Sequence, residues 1–78
     1  MSNLEKYNTA FTESFGISAE QLPSLLYQGI EAWDSVGHMQ LIAALEDTFD
    51  IMFDTDDIIE FNSYEKGKEL MAKYEVEL

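Results

Sequence analysis

Seventy-eight residues make at most one domain, so residues 1–78 are read as a single unit. A core of that size contributes only about 3–5 kcal/mol of net stability, which leaves little room for a deep, water-excluding catalytic site. The sequence carries 16 acidic residues against 4 basic ones, a formal net charge of −12, and no cysteine; this argues against nucleic acid or anionic membrane as partner, and excludes a disulfide framework and a thiolate metal site.

Leu4, Tyr7, Phe11 and Phe15 recur at three- and four-residue steps, which predicts a first helix ended by Gly16. From Ile17 to Trp33 the periodicity lapses, with Pro23 and Gly29 as breakers. A loop this long in a small domain is functional or pinned by its own side chains, and Leu22, Leu25, Leu26 and Ile30 are the expected pins. A second helix is predicted to start at Asp34 or Ser35, both good N-cap residues, and to run to Phe49. At about 100° per residue, Leu41, Leu45 and Phe49 share its core face, with His38, Ile42 and Thr48 at the edges. Val36, Met39 and Ala43 fall on the opposite face, flanked by Glu46 and Asp47, and Ser35 heads that outer stripe. Ile51, Met52 and Phe53 read as an apolar linker before a short helical turn over Asp56 to Phe61. Asn62 and Glu65 have the spacing of a capping box. The last helix then runs to about Tyr74 and presents Tyr64, Leu70, Met71 and Tyr74. No segment reads as a strand. The expected fold is all-α: a small antiparallel four-helix bundle, three main helices plus a short third helix, with a long first loop.

The charge is unevenly placed. Between Lys6 and Lys66 there is no basic residue, while acids run from Glu13 to Glu65. High charge with low hydrophobicity would indicate disorder, but 46% apolar residues, with one Trp, four Tyr and five Phe, do not fit that class. The acidity reads either as a solvated surface or as an electrostatic handle for basic partners. No apolar run approaches the ~20 residues of a membrane span. The residues after Met1 lack the basic-then-apolar pattern of a signal peptide. A cytoplasmic monomer without membrane insertion is expected.

Ser35 lies within Trp33-Asp34-Ser35-Val36, at a helix start where a serine is most often a plain cap. Two neighbouring features point further. The apolar outward stripe begins beside it, and the flanking acids have no cation to neutralise them; together these look like a transient docking surface. Asp34-Ser35-Val36, followed after four residues by Leu41, Ala44, Leu45, Glu46, Phe49 and Ile51, resembles the signature of acyl carrier proteins. In that family Asp-Ser-Leu opens the second helix and the serine carries phosphopantetheine. The resemblance covers essentially the whole chain in helix order, and Trp33 to Phe53 is its most specific part.

It implies that Ser35 is joined to the phosphopantetheine arm by a phosphodiester. Asp34 would help seat the modifying phosphopantetheinyl transferase. Val36, Met39, Ala43, Glu46 and Asp47 would face acyl-loading and acyl-processing enzymes with basic docking patches. The thiol arrives with the prosthetic group, from coenzyme A, which suits a chain without cysteine. The chain would then be a free-standing carrier of acyl intermediates in fatty acid, polyketide or related biosynthesis, and not an enzyme. Two departures stand out. Val36 replaces the commoner Leu, and Gly37 stands where the family often has an acidic or polar residue. Glycine costs roughly 0.8–1 kcal/mol in a helix relative to alanine, and here it could let the arm or a partner approach closely.

Rival readings use the same residues. Ser35, His38 and Asp34 would make the nucleophilic set of a hydrolase, but the helical wheel turns His38 toward the core edge. Asp54, Asp56, Asn62 and Glu65 match positions one, three, nine and twelve of an EF-hand-like loop. Ile58 and Ile59 occupy positions five and six, where a ligand and a glycine are required, so no metal site is assigned. Weak divalent binding by the acidic turn from Asp54 to Glu60 stays open. The remaining alternatives are an aminoacyl or peptidyl carrier, and an acidic, divalent-cation-binding helical module without a prosthetic group.

Overall fold

The computed structural model describes residues Met1–Leu78. It contains α1 (Asn3–Phe15), a 3₁₀ turn (Ala19–Gln21), α2 (Ser35–Phe49), α3 (Thr55–Glu60) and α4 (Tyr64–Lys73). The chain is all-helical; its one piece of extended pairing is an isolated antiparallel bridge between Leu26 and Ser63. No helix is long and apolar enough to cross a membrane.

α1 begins with a capping box. Ser2 Oγ accepts the N–H of Glu5 at 3.1 Å, and Glu5 Oε1 accepts the N–H of Ser2 at 3.0 Å. The helix ends at Gly16, whose φ of 64° lets its N–H reach Thr12 O at 2.8 Å. Between these ends Tyr7, Ala10, Phe11 and Phe15 are buried. Leu4, expected on the same stripe, stays exposed in the first turn. α1 packs on α2, and Tyr7 ties α1 to the start of α4 by donating its hydroxyl to Tyr64 O at 2.7 Å.

The long loop is pinned by fewer side chains than its composition predicts. Leu22 and Leu25 are buried and Ile30 is half-buried, but Leu26 is 57% exposed. The reason is the bridge. Tyr64 donates its N–H to Leu25 O at 3.0 Å and Tyr27 donates to Asn62 O at 2.8 Å, so this stretch is extended and successive side chains alternate in and out. The strongest pin is Trp33, which is fully buried. Its ring meets Phe15 (5.4 Å between centroids), Phe11 (5.6 Å) and Phe61 (6.4 Å). Aromatic rings from α1, the loop and the α3–α4 connection thus fill the centre of the molecule.

On α2 the buried face is Leu41, Ile42 and Leu45, with Phe49 half-buried and Thr48 exposed. Ile42, placed at the edge by the helical wheel, is therefore central, and Phe49 is more peripheral than expected. Asp50, with φ of 53°, closes the helix in the left-handed region. α3 starts one residue earlier than Asp56. Its cap position is Asp54, whose side chain makes no capping bond.

The expected capping box of Asn62 and Glu65 does not form. Ser63 caps α4 instead, its Oγ accepting the N–H of Lys66 at 2.9 Å. The pairing of Asn62 with Tyr27 holds the backbone extended through Ser63, which moves the helix start one residue on. Tyr64, Leu70 and Met71 face inward as expected, with Tyr74 half-buried. Gly67 lies where a Cβ would come within 2.1 Å of Tyr7 Oη and 2.4 Å of Phe61 Cζ, so α4 approaches the aromatic core at its glycine.

Candidate functional site

Asp34 and Ser35 stand at the junction of the long loop and α2. Asp34 has extended backbone, and its Oδ1 accepts the N–H of Gly37 at 2.8 Å, so Asp34 is the N-cap. Ser35 is thereby the first helical residue. Its side chain is exposed and its hydroxyl makes no hydrogen bond within the protein. The N–H groups of Ser35 and Val36 have no intramolecular acceptor either. Two first-turn donors, at the positive end of the helix dipole, therefore accompany the free hydroxyl.

Gly37 is buried, and the close approach it permits is internal. A Cβ on Gly37 would lie 1.9 Å from Ala32 O. The end of the long loop presses against the first turn of α2, and only a residue without a side chain fits beneath it. The glycine thus serves the loop and not an incoming arm or partner.

His38, one turn beyond Ser35, is committed elsewhere. Trp33 Nε1, which can only donate, gives its proton to His38 Nδ1 at 3.0 Å. Nδ1 is therefore the bare nitrogen, and Nε2–H donates to Ile58 O at 2.8 Å. The ring is stacked on Trp33 at 19° and joins loop, α2 and α3. With both nitrogens engaged it does not reach the Ser35 hydroxyl, and the Ser35–His38 pair that a hydrolase would require is not formed.

The outward face of α2 carries Val36 (65% exposed), Met39 (53% exposed), Ala43 and Asp47, all on the surface. Glu46 differs from the others. It is half-buried, and its Oε2 accepts the N–H of Phe53 at 2.9 Å, which fixes the α2–α3 linker. The linker and α3 add two exposed apolar side chains, Met52 and Ile59.

The acidic turn is likewise divided. Asp57 is buried and turned toward α4, where Lys73 Nζ lies 2.9 Å from its Oδ1 and Tyr74 donates its hydroxyl to Oδ2. These two donors hold the Asp57 carboxyl below the usual carboxylate range, Tyr74 contributing most. Asp54, Asp56 and Glu60 remain on the surface. No three Asp, Glu or His side chains in the molecule converge as a metal cage would require, so the EF-hand-like spacing does not become a site.

Between the start of α2 and α3 lies a cleft of about 250 Å³ lined by Tyr27, His38, Ile58, Ile59, Phe61 and Asn62. Of these, His38, Ile58, Ile59 and Asn62 are weighed in the sequence for other roles, and none for a cleft. The available signal was Ile58-Ile59 in a helix of six residues, too short to bury both. No known protein family, curated protein or solved structure matches this chain.

Proposed function

We propose that this chain is an acyl carrier protein, holding its cargo as a thioester on a phosphopantetheine arm attached to Ser35. The observation that carries the reading is the division of roles at the start of α2. Asp34 takes the cap, which leaves the Ser35 hydroxyl exposed and unengaged within Asp34-Ser35-Val36.

The residues present fit such an arm. A phosphodiester on Ser35 would meet the unpartnered N–H groups of Ser35 and Val36, at a helix end that favours negative charge. The contact of Gly37 with Ala32 fixes the serine against the loop. Attachment asks little of the chain itself. The Ser35 oxygen forms the new bond to phosphorus, the pyrophosphate bond of coenzyme A breaks, and 3′,5′-adenosine diphosphate leaves. The hydroxyl proton passes to a base of the transferase, since His38 is committed to Trp33 and Ile58. The bound arm would supply the thiol that this sequence lacks.

Val36, Met39, Ala43 and Asp47 are the surface offered to the transferase and to acyl-loading and acyl-processing enzymes. A net charge of −12 would steer their basic patches toward it. The reading carries with it an antiparallel four-helix bundle acting as a cytoplasmic monomer in fatty acid, polyketide or related biosynthesis. Incubation with coenzyme A and a broad-specificity phosphopantetheinyl transferase, followed by mass spectrometry, is expected to add one phosphopantetheine to the wild type and none to Ser35→Ala. Addition to that variant, or addition mapped to Ser63, overturns the reading.

A further inference from the structure

We infer that Trp33, His38 and Ile58 form a proton-sensitive latch, in which protonation of His38 unfastens the loop end from the head of α2 and loosens α3. The latch belongs to the bare chain and does not depend on any group carried by Ser35.

The polarity of these bonds is fixed at both ends. Trp33 Nε1 can only donate, so His38 Nδ1 accepts, at 3.0 Å. Ile58 O can only accept, so Nε2–H donates, at 2.8 Å. One neutral tautomer satisfies both. An added proton goes to Nδ1, the bare nitrogen, and sets N–H against N–H. Trp33 is fully buried and its indole N–H has no second acceptor, so the protonated ring either leaves it unpaired or moves away. Movement is felt in α3, because no backbone N–H donates to Ile58 O and His38 supplies its one hydrogen bond. The sequence has one histidine and no cysteine, so His38 is the one side chain that ordinarily changes charge between pH 5 and pH 8.

No carboxylate is bonded to the ring to favour the cation. Its neighbours are aromatic: Tyr27, Phe61 and Trp33, with centroids 5.4, 6.1 and 6.2 Å away. On the elements that hold it, the titratable groups are Tyr27, Glu31 and Asp34 from the loop end and cap, and Asp54, Asp56, Asp57 and Glu60 from α3 and its cap. None of them is hydrogen-bonded to the ring. Asp34 Oδ1 takes the N–H of Gly37, and the buried Asp57 is turned to Lys73 and Tyr74. Glu31, Asp54, Asp56 and Glu60 are exposed. His38 also lies near the positive end of the α2 dipole, which disfavours a further positive charge. A solvent proton can reach the ring, which is half-buried and lines the cleft of about 250 Å³ beside α3.

Melting temperatures of the wild type and His38→Gln, followed by circular dichroism between pH 8 and pH 5 at constant ionic strength, test the latch. Glutamine offers an uncharged acceptor and donor in place of the two ring nitrogens, and the carboxylates titrate alike in both proteins. The bond to Trp33 exists only in the neutral form, so its contribution is complete at pH 8 and is lost as pH falls. The wild type should therefore fall by roughly 4–8 °C relative to His38→Gln across that interval, the shift that loss of one hydrogen bond gives a domain of this size. Trp33 is the only tryptophan, so its indole N–H resonance gives a second reading that needs no variant. With the bond broken, that proton should shift upfield as pH falls and exchange faster with solvent, against the ordinary slowing of N–H exchange in acid. A constant difference in melting temperature between the two proteins overturns the inference. So does an indole signal unchanged over the same interval, whether or not the glutamine variant folds.

Discussion

At the start of α2 two side chains compete for one cap, and Asp34 holds it while Ser35 faces solvent. Asp34→Ala should cost about 1 kcal/mol in chemical denaturation, the usual worth of an N-cap. Asp34→Asn keeps a capping oxygen and should match the wild type in stability. If the transferase reads the carboxylate, the Asn variant is still modified more slowly, which separates the two roles. Gly37 gives a second residue-scale prediction. On helix propensity alone Gly37→Ala would stabilise by about 1 kcal/mol, yet its Cβ would lie 1.9 Å from Ala32 O. A lower melting temperature is therefore expected, and on the carrier reading slower modification as well, as the loop is pushed off the serine. The sequence marked Asp34 and Ser35 as alternative caps and marked Gly37 as unusual. It could not say which residue wins or what approaches the glycine, because both depend on where the loop end returns.

Among the elements, α3 is held chiefly from its two sides, by His38 through Ile58 O and by Lys73 and Tyr74 through Asp57. The folded Asp57 carboxyl lies below the ordinary value of about 3.9. Its contribution is thus fully present above that value and is lost as pH falls through the lower, folded one. Asp57→Asn should lower the melting temperature at pH 7. The gap between variant and wild type should close in urea melts carried down toward pH 2. Glu46 and Asp47 invite a paired comparison on α2. Asp47→Lys changes an exposed charge and should leave stability within about 0.5 kcal/mol. Glu46→Lys removes the acceptor of the Phe53 N–H and should cost about 1–2 kcal/mol. A loss of partner binding is therefore informative only in the Asp47 variant. The extents of α1 and α2 were legible in three- and four-residue spacing. The start of α4 was not, because the backbone pairing of Asn62 with Tyr27, distant in sequence, decides that Ser63 is the cap. Gly67 was legible in principle, since a glycine inside a helical pattern signals close packing.

For the whole molecule, the acids other than the buried Asp57 and the half-buried Glu46 lie on the surface and are not gathered into a cage. Self-repulsion of that charge should weaken as salt is added, so sodium chloride should raise the melting temperature. Magnesium at equal ionic strength should do about as well; a clear excess for magnesium would reveal a site that the geometry does not form. Leu45→Ala, at a fully buried position, should cost roughly 2–5 kcal/mol and unfold much of a domain this small. The all-helical class and the acidic, apolar outer face were readable from composition and periodicity. The aromatic centre was not, because Trp33, Phe11 and Phe61 are far apart in sequence and their contacts are tertiary.

The small bridge at Leu26 and Ser63 bears on timing. The loop that seats the first turn of α2 is anchored through Tyr27 to Asn62 and through Leu25 to Tyr64, about half a chain length further on. Contacts so distant along the chain form only after the intervening segment has been synthesised and closed into a ring. While the chain is still being made, Ser35 is synthesised before Asn62 and Tyr64, so the bridge that anchors its loop forms after it. An enzyme that requires the anchored loop beside Ser35 would therefore act only once Tyr64 has been released.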